Sequence, residues 1–490
     1  MTAVVESTPV ETTPAETPAA STQTPFPRRW WGLLAILAAT LLNLLDASIV
    51  NVAAPSIRAE LGGSAATIQW LAAGYTLALA VGLLAGGRLG DMFGRKRVLQ
   101  VGLVCFLAAS LACGAATSIE LLLASRIAQG AFAAVMVPQC FGLIRDMFGR
   151  ELGKAYALFG PLIGLASIAG PIVAGLLIEA DAFGTGWRSI FLMNLPLGLA
   201  ALVLGAKVLP AGAPSVKGIR LDLGGAAVAA AGMVLLLFPL VEGRELGWPT
   251  WTLVMMGASV PVFALFVIGQ VRRSRAGKTA LIELSVFTKR SYTSGTAFVV
   301  VFFGAVTGFS LAIGLFLQLG LGYSPIKASL AMAAWAVGAF IGSGSSAGLA
   351  PKLGRRILHL GLLGMAAGLV VLYFQFGAET APGPWALAPA LLVYGIGMGM
   401  IFVPLFGIIV GDLEDHEIGS ASGLLESFQQ GAAALGVATL GTIFFGRFAI
   451  GAGEAEAMSA AQVTTGVALL LTVAAFAVVF GLPKQAREEH

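Results

Sequence analysis

The chain has 490 residues, of which 57% are hydrophobic and 11% charged. A soluble domain carries roughly 25% charged residues, so this chain cannot coat a water-soluble globule of its size. Its net charge is +4 and its mean hydropathy +0.89. These values exclude a cytosolic enzyme, a secreted disulfide scaffold and a disordered regulator, and give no basis for nucleic-acid binding.

Residues 1–29 are rich in Thr, Pro, Ala and Glu and read as a disordered cytoplasmic tail, with no signal-cleavage pattern. Apolar stretches follow, each long enough to cross about 30 Å of hydrocarbon as a helix. Helices are required because lipid offers no partner to free backbone groups. Six spans, at 30–52, 67–87, 98–116, 120–143, 155–178 and 189–209, are predicted to form an N-terminal bundle over residues 30–209. Two more, at 222–241 and 251–270, lie in a segment 210–292 that includes a basic cytoplasmic linker. The last six, at 293–317, 328–348, 357–376, 386–410, 419–446 and 462–482, form a C-terminal bundle over 293–482, followed by a cytoplasmic tail 483–490. The expected fold class is all-α: a polytopic membrane protein of fourteen transmembrane helices, in two six-helix repeats with two helices inserted between them.

Charge tests this topology. With the N-terminus inside, 23 of the 29 Lys and Arg residues fall on the inner side, five on the outer side, and Arg126 lies within a span. The bias follows the positive-inside rule and puts both termini in the cytoplasm of an inner-membrane protein. The inner loop near 411–417 departs from it, being acidic through Asp412, Glu414, Asp415 and Glu417.

An internal repeat supports the two halves. Residues 87–95 match 348–356 at an offset of 261, and the same offset carries Gly170 in the fifth span onto Gly431 in the thirteenth. Parallel repeats around a central site are a transporter design. The offset also carries Asp46 onto Thr307 and Arg126 onto Leu387. Energy coupling is therefore expected in the first half.

Asp46 and Arg126 each sit about seven residues from the outer end of their span, or roughly 10 Å deep at 1.5 Å per residue. Each costs about 2.5–3.5 kcal/mol at the centre of a span, so each needs a partner or a task. Asp46 can take up a proton and Arg126 cannot lose one. Asp46 is thus the expected proton carrier, with Arg126 and Gln129, one turn apart, shaping the site. The plainer alternative is a static ion pair, or an Asp46 satisfied by Asn43 on its own helix. Glu426 is a second intramembrane acid: a further proton site, a handle for a cationic substrate, or a carboxylate reaching the inner interface. Asn43, Phe309, Trp335, Phe428, Gln429 and Gln430 are candidates for a substrate pocket, where aromatic faces and amides meet a planar or cationic molecule. Ala166, Gly170 and Ala174, spaced by four, permit close helix approach, and Pro171 bends that span.

Three motifs resemble a known family. Gly87-Arg88-Leu89-Gly90-Asp91-Met92-Phe93-Gly94-Arg95-Lys96-Arg97 resembles the loop 2–3 signature of the major facilitator superfamily. Ala166 to Gly175 is similar to its antiporter motif, with Ala166 and Ala174 where glycine is usual. Leu45 to Pro55, Arg126-Ile-Ala-Gln129-Gly130 and Trp187-Arg188 through Asn194-Leu-Pro196-Leu-Gly198 resemble the fourteen-span drug:proton antiporters. Glu426 departs from that pattern, in which an amide is usual. The resemblance covers residues 30–482 and implies proton-driven export of hydrophobic or amphipathic compounds. It implies that Gly87, Gly90, Gly94, Asp91, Arg95 and Arg97 form a cytoplasmic latch, with Asp91 at the start of the thirteenth span near Gly419 and Ser420 and Arg95 paired with Asp146. It implies also that Ala166, Gly170, Pro171, Ala174 and Gly175 seal the seam between the halves.

Other classes fit less well. Three scattered histidines and three cysteines within apolar runs give neither a metal site nor a disulfide framework. No nucleophile–base set points to an enzyme, no filter ring to a channel, and no GxxxxGK[ST] loop to ATP drive. No cofactor and no nucleic acid is expected. The expected partners are a small hydrophobic or amphipathic substrate, protons and the bilayer, around a monomer. The competing reading is a narrow proton-coupled exporter or importer of a physiological metabolite.

Overall fold

The computed structural model describes residues 26–483, apart from 152–153, 156–157, 182–183, 212–220, 279, 283 and 414. The tails expected at 1–29 and 483–490 therefore fall almost wholly outside the described residues. The described chain is helical throughout, with no strand among its residues. In chain order the helices are α1 (Arg29–Leu61), α2 (Ala65–Phe93), α3 (Arg95–Gly114), α4 (Ile119–Phe148), α5 (Phe159–Ala180), α6 (Asn194–Val208) and α7 (Leu223–Glu242). They continue as α8 (Thr250–Arg275), α9 (Arg290–Leu315), α10 (Pro325–Leu353), α11 (Arg356–Phe376), α12 (Pro384–Val410), α13 (Asp415–Arg447) and α14 (Glu454–Val479). Among the described residues, 13 helices are long and apolar enough to cross a membrane, and α5 contributes the shorter apolar stretch Ala169–Ala180.

Local chemistry sets the ends. Ser118, Ser324 and Asp222 cap α4, α10 and α7 by accepting from the N–H groups of Leu121, Lys327 and Gly225. Proline opens α10 and α12, where its missing N–H is not needed. Gly94 and Gly354, at φ 88° and 51°, make the matched turns that end α2 and α10, a backbone state that favours glycine. Several helices overrun the predicted spans. Arg58, expected in an outer loop, lies in the last turn of α1, and Lys352 in the last turn of α10. Hydropathy marks where the chain meets hydrocarbon, whereas helical hydrogen bonding continues into the headgroup region.

Packing follows two parallel schemes. α1 packs on α5 and α6, α2 on α4, and α3 on α4 and α6; likewise α9 packs on α13 and α14, α10 on α12, and α11 on α12 and α14. The two sets meet where α2 runs along α13 and α5 along α10. Glycine permits the closest pairs. A Cβ at Gly86 or Gly130 would strike the carbonyls of Ala134 or Tyr75 between α2 and α4; at Gly338 or Gly395 it would strike those of Leu392 or Trp335 between α10 and α12.

The two sets are fastened alike at one end. Lys96 Nζ donates to the carbonyls of Ala206 and Leu209 at 2.9 and 2.8 Å. Arg355 Nη1 donates to those of Phe480 and Leu482 at 3.0 and 2.7 Å. Each cation at the start of a third helix thus caps the carbonyl-rich end of a sixth.

α7 and α8 pair with each other, and α7 also touches α2 and α13. At the C-terminal end of α7, Glu242 Oε1 accepts from Trp70 Nε1 at 2.8 Å and Glu245 Oε1 from the Ala66 N–H at 2.8 Å. Thr442 Oγ1 on α13 donates to the Leu240 carbonyl at 2.5 Å. One end of α7 therefore bonds to both sets of helices.

Candidate functional site

The centre of the first set holds a dry polar cluster. Asp46 on α1 is 0% exposed, as are Arg126 and Gln129 on α4. Arg126 Nη1 donates to Asp46 Oδ2 at 2.6 Å and to Gln129 Oε1 at 2.7 Å. Gln129 Nε2 donates to Asp46 Oδ1 at 2.9 Å. Arg126 and Gln129 reach the same carboxylate because residues three apart share a helix face. Arg126 Nε also donates to the Leu71 carbonyl at 3.3 Å, and its guanidinium lies 4.3 Å from the centre of the Tyr75 ring. Ring and carboxylate together enclose the cation on two sides.

Two groups in this cluster escaped the sequence reading as parts of it. Asn194 at the start of α6 donates to Asp46 Oδ1 at 2.7 Å and to Ser110 Oγ on α3 at 2.9 Å. Tyr75 on α2 accepts from Asn43 Nδ2 at 2.7 Å. Asn43 thus serves Tyr75, and Asp46 is satisfied from other helices. The available signal was a polar residue, Asn194, at the head of a long apolar run. Every group that bonds Asp46 is a donor.

Glu426 stands apart from this cluster, on α13, half-buried, with Gln430 Nε2 donating to its Oε1 at 2.8 Å. On either side of it around the helix, Ser427 donates to the Ala80 carbonyl on α2 and Gly436 abuts Gly304 on α9. Gln429 and Phe428 are half-buried, and Phe428 meets Phe287 edge-on at 6.3 Å. Phe309 and Trp335 pack with Tyr394 at ring separations of 4.8 to 5.8 Å and are 1% and 7% exposed. In this pose they form packed core within the second set.

At the turn between α2 and α3, Arg95 Nη1 donates to Asp146 Oδ1 at 2.6 Å and to the Gly142 carbonyl at 3.3 Å, while its Nη2 reaches Asp91 Oδ1 at 3.5 Å. Arg95 so binds two carboxylates, one from α2 and one from α4. Gly90 leaves room for Gln139 and Gly142 for the Arg95 stem. Gly87 sits on Pro138 at ordinary contact and Arg97 is exposed. The side chains of Gly419 and Ser420, expected beside Asp91, lie outside the described residues.

On α5, Ala166, Gly170, Ala174 and Gly175 are buried and Pro171 half-buried. Gly170 faces Ser48 and Leu45 of α1, and Gly175 faces the backbone of Ile326 on α10. The close approach to α10 is thus made by Gly175, one residue round the helix from the Ala166–Gly170–Ala174 stripe. Among the described residues no group of His, Cys, Asp or Glu side chains is placed to hold a metal.

Comparison with known proteins fits this geometry. The chain is 47% identical over 426 residues to a probable actinorhodin transporter of Streptomyces coelicolor, covering 86% of this chain and 73% of that one. It is 35% identical over 431 residues to the puromycin resistance protein pur8 of Streptomyces alboniger, covering 86% and 83%. A crystal structure of the peptide transporter POT in complex with sulfate shares the fold at a TM-score of 0.65 and 16% identity, covering 91% of this chain and 94% of that one. Residues 36–437 match the family described as the Major Facilitator Superfamily, and with helices in paired sets around a buried charge the chain belongs to that family.

Proposed function

We propose that the protein exports hydrophobic or amphipathic small molecules, antibiotics among them, across the cytoplasmic membrane by alternating access, in exchange for protons. The observation that carries the proton part is Asp46: an acid sealed among helices, held by Arg126 and Gln129. An intramembrane carboxylate facing a bundle interior marks a proton path by default. The direction and substrate class rest on likeness to proteins named for actinorhodin transport and puromycin resistance.

In this account α1–α6 and α9–α14 are two halves that rock about the lines where α2 meets α13 and α5 meets α10. The matching packing schemes and the matched caps of Lys96 and Arg355 support that division. We assign this pose, in which Asp46 is fully buried among hydrogen-bond donors, to the proton-free carrier. Loading a proton needs a second pose that admits water and draws Arg126 away. Glu426, on the face of α13 between those that meet α2 and α9, is assigned to the substrate path, where it takes a cationic part of the cargo or a second proton. Arg95, Asp91 and Asp146 steady the inner junction between these poses. The protein works as a monomer in the inner membrane, with both termini cytoplasmic.

The test is accumulation of ethidium and a panel of other dyes in inverted vesicles. Uptake driven by a pH gradient, abolished by an uncoupler and by Asp46→Asn, is expected; uptake that follows ATP and ignores the uncoupler overturns the exchange. A narrow exporter of one compound is the second reading, favoured by the relative at 47% identity being named for a single compound. Transport of one panel member and no other would select it.

A further inference from the structure

Asn194 differs from Gln129 in one respect. Gln129 is committed at both ends of its amide: Nε2 donates to Asp46, while Oε1 accepts from Arg126 at 2.7 Å and lies 3.7 Å from Cys113 Sγ. Its orientation is fixed. Asn194 is committed at one end only. Its Nδ2 donates to Asp46 Oδ1 and to Ser110 Oγ, using both hydrogens, while its Oδ1 is buried without a partner. Asn194 and Ser110 are both 0% exposed. A buried carbonyl oxygen left idle is costly and calls for a reason.

The other groups around Asp46 leave Asn194 as the one that can turn. Arg126 and Gln129 come from α4, Tyr75 from α2, and Cys113 and Ser110 from α3. Of these Arg126, Tyr75 and Cys113 carry or can carry charge, and Arg126 is a donor at every nitrogen. None offers an idle acceptor. The geometry points to Asn194 as the positioning residue of the proton site: its amide donates to Asp46 while that carboxyl is ionised, and turns half round to accept from it once protonated. This deepens the proton-exchange reading and rests on it.

The step conserves atoms, and the amide turn itself is a side-chain rotation. A proton from water admitted in the second pose forms an O–H bond on Asp46. The Nδ2–H bonds to Asp46 Oδ1 and Ser110 Oγ break, and rotation about the Asn194 Cβ–Cγ bond exchanges amide nitrogen and oxygen. The idle oxygen then accepts from the new carboxyl O–H. Ser110, whose hydroxyl donates to the Phe191 carbonyl at 2.9 Å in the ionised state, can re-aim at the same oxygen. α6 therefore stays bonded to α1 in both protonation states. The bond that weakens is the one between α1 and Arg126 of α4.

Infrared difference spectroscopy of the full-length protein in a lipid film, stepped from neutral to acid pH without added ligand, tests this. The expected spectrum holds a carboxyl band that is absent in Asp46→Asn. Beside it, at the same pH, stands an asparagine side-chain carbonyl band that moves with isotope-labelled asparagine and is lost in Asn194→Leu. In Asn194→Leu the carboxyl band should move to higher frequency, because the protonated group has lost its acceptor. An unmoved carboxyl band, with no asparagine band in the labelled wild type, overturns the role of Asn194 while leaving Asp46 as carrier. The absence of any Asp46-dependent carboxyl band overturns the proton reading itself. Should Asn194→Leu fail to accumulate, the labelled wild type alone decides the matter through its asparagine band.

Discussion

At the scale of single residues, the Asp46–Arg126 contact is a fully buried ion pair, which Gln129 and Asn194 also bond. Removing one partner of a buried pair strands the other charge, at about 3–5 kcal/mol. Arg126→Leu should therefore lower stability by that order in thermal unfolding in detergent. The double change Asp46→Leu with Arg126→Leu should recover most of the loss while abolishing transport. Recovery of stability without recovery of function separates the structural from the chemical use of the pair. Asp46, Arg126 and Gln129 were legible in the sequence because a charge in oil stands out against its neighbours. Asn194, Tyr75 and Ser110 were not, because a neutral polar side chain in a span has many possible partners. Which one it meets is decided by the crossing of α1, α3, α4 and α6 and not by spacing along any of them. The same reason explains Asn43, whose place one turn before Asp46 suggested a bond that Tyr75 takes instead.

At the scale of elements, close backbone contact sets how far each helix can give. A Cβ at Gly130 would meet the Tyr75 backbone, whereas one at Gly257 on α8 meets nothing within 4 Å. Gly130→Ala should cost about 1–3 kcal/mol by overpacking and disturb the ring beneath Arg126, while Gly257→Ala should be silent; thermal unfolding and dye transport compare them. The C-terminal end of α7 gives a second expectation. Glu242 and Glu245 tie it to α2, and the Leu240 carbonyl ties it to Thr442 of α13. Changing both glutamates to Ala removes two bonds to carboxylates. With about 1.4 kcal/mol equal to a tenfold shift, loss of that much from the pose seen here should speed labelling by an external maleimide about tenfold. The reporter is a cysteine at Ala73, fully buried one turn below Gln69. Unchanged labelling would show that α7 is a passenger there. Helix identity was plain from apolar length, but helix ends were not, since polar turns such as that of Arg58 extend α1 beyond the hydrocarbon.

At the scale of the molecule, orientation follows from where the cations sit. In a cysteine-free background, a cysteine at Leu246 or Glu379 should react with an impermeant maleimide on intact cells, and one at Ala276 only after permeabilisation. The reverse pattern would invert the topology. The two sets of helices share their packing order, yet among the described residues only the first keeps an acid and a base paired at its centre. Thr307, at the place matching Asp46, bonds to carbonyls of Phe303 and Ala433, and Leu387, matching Arg126, is buried apolar core. One set is thus built around charge and the other around aromatic rings. The full enclosure of Asp46 has a consequence for the cell that carries this protein. On the exchange proposed above, an acid enclosed on every side gives ions no path through a parked carrier. Under that proposal a cell can stock its envelope with many copies and keep its proton-motive store insulated until cargo arrives.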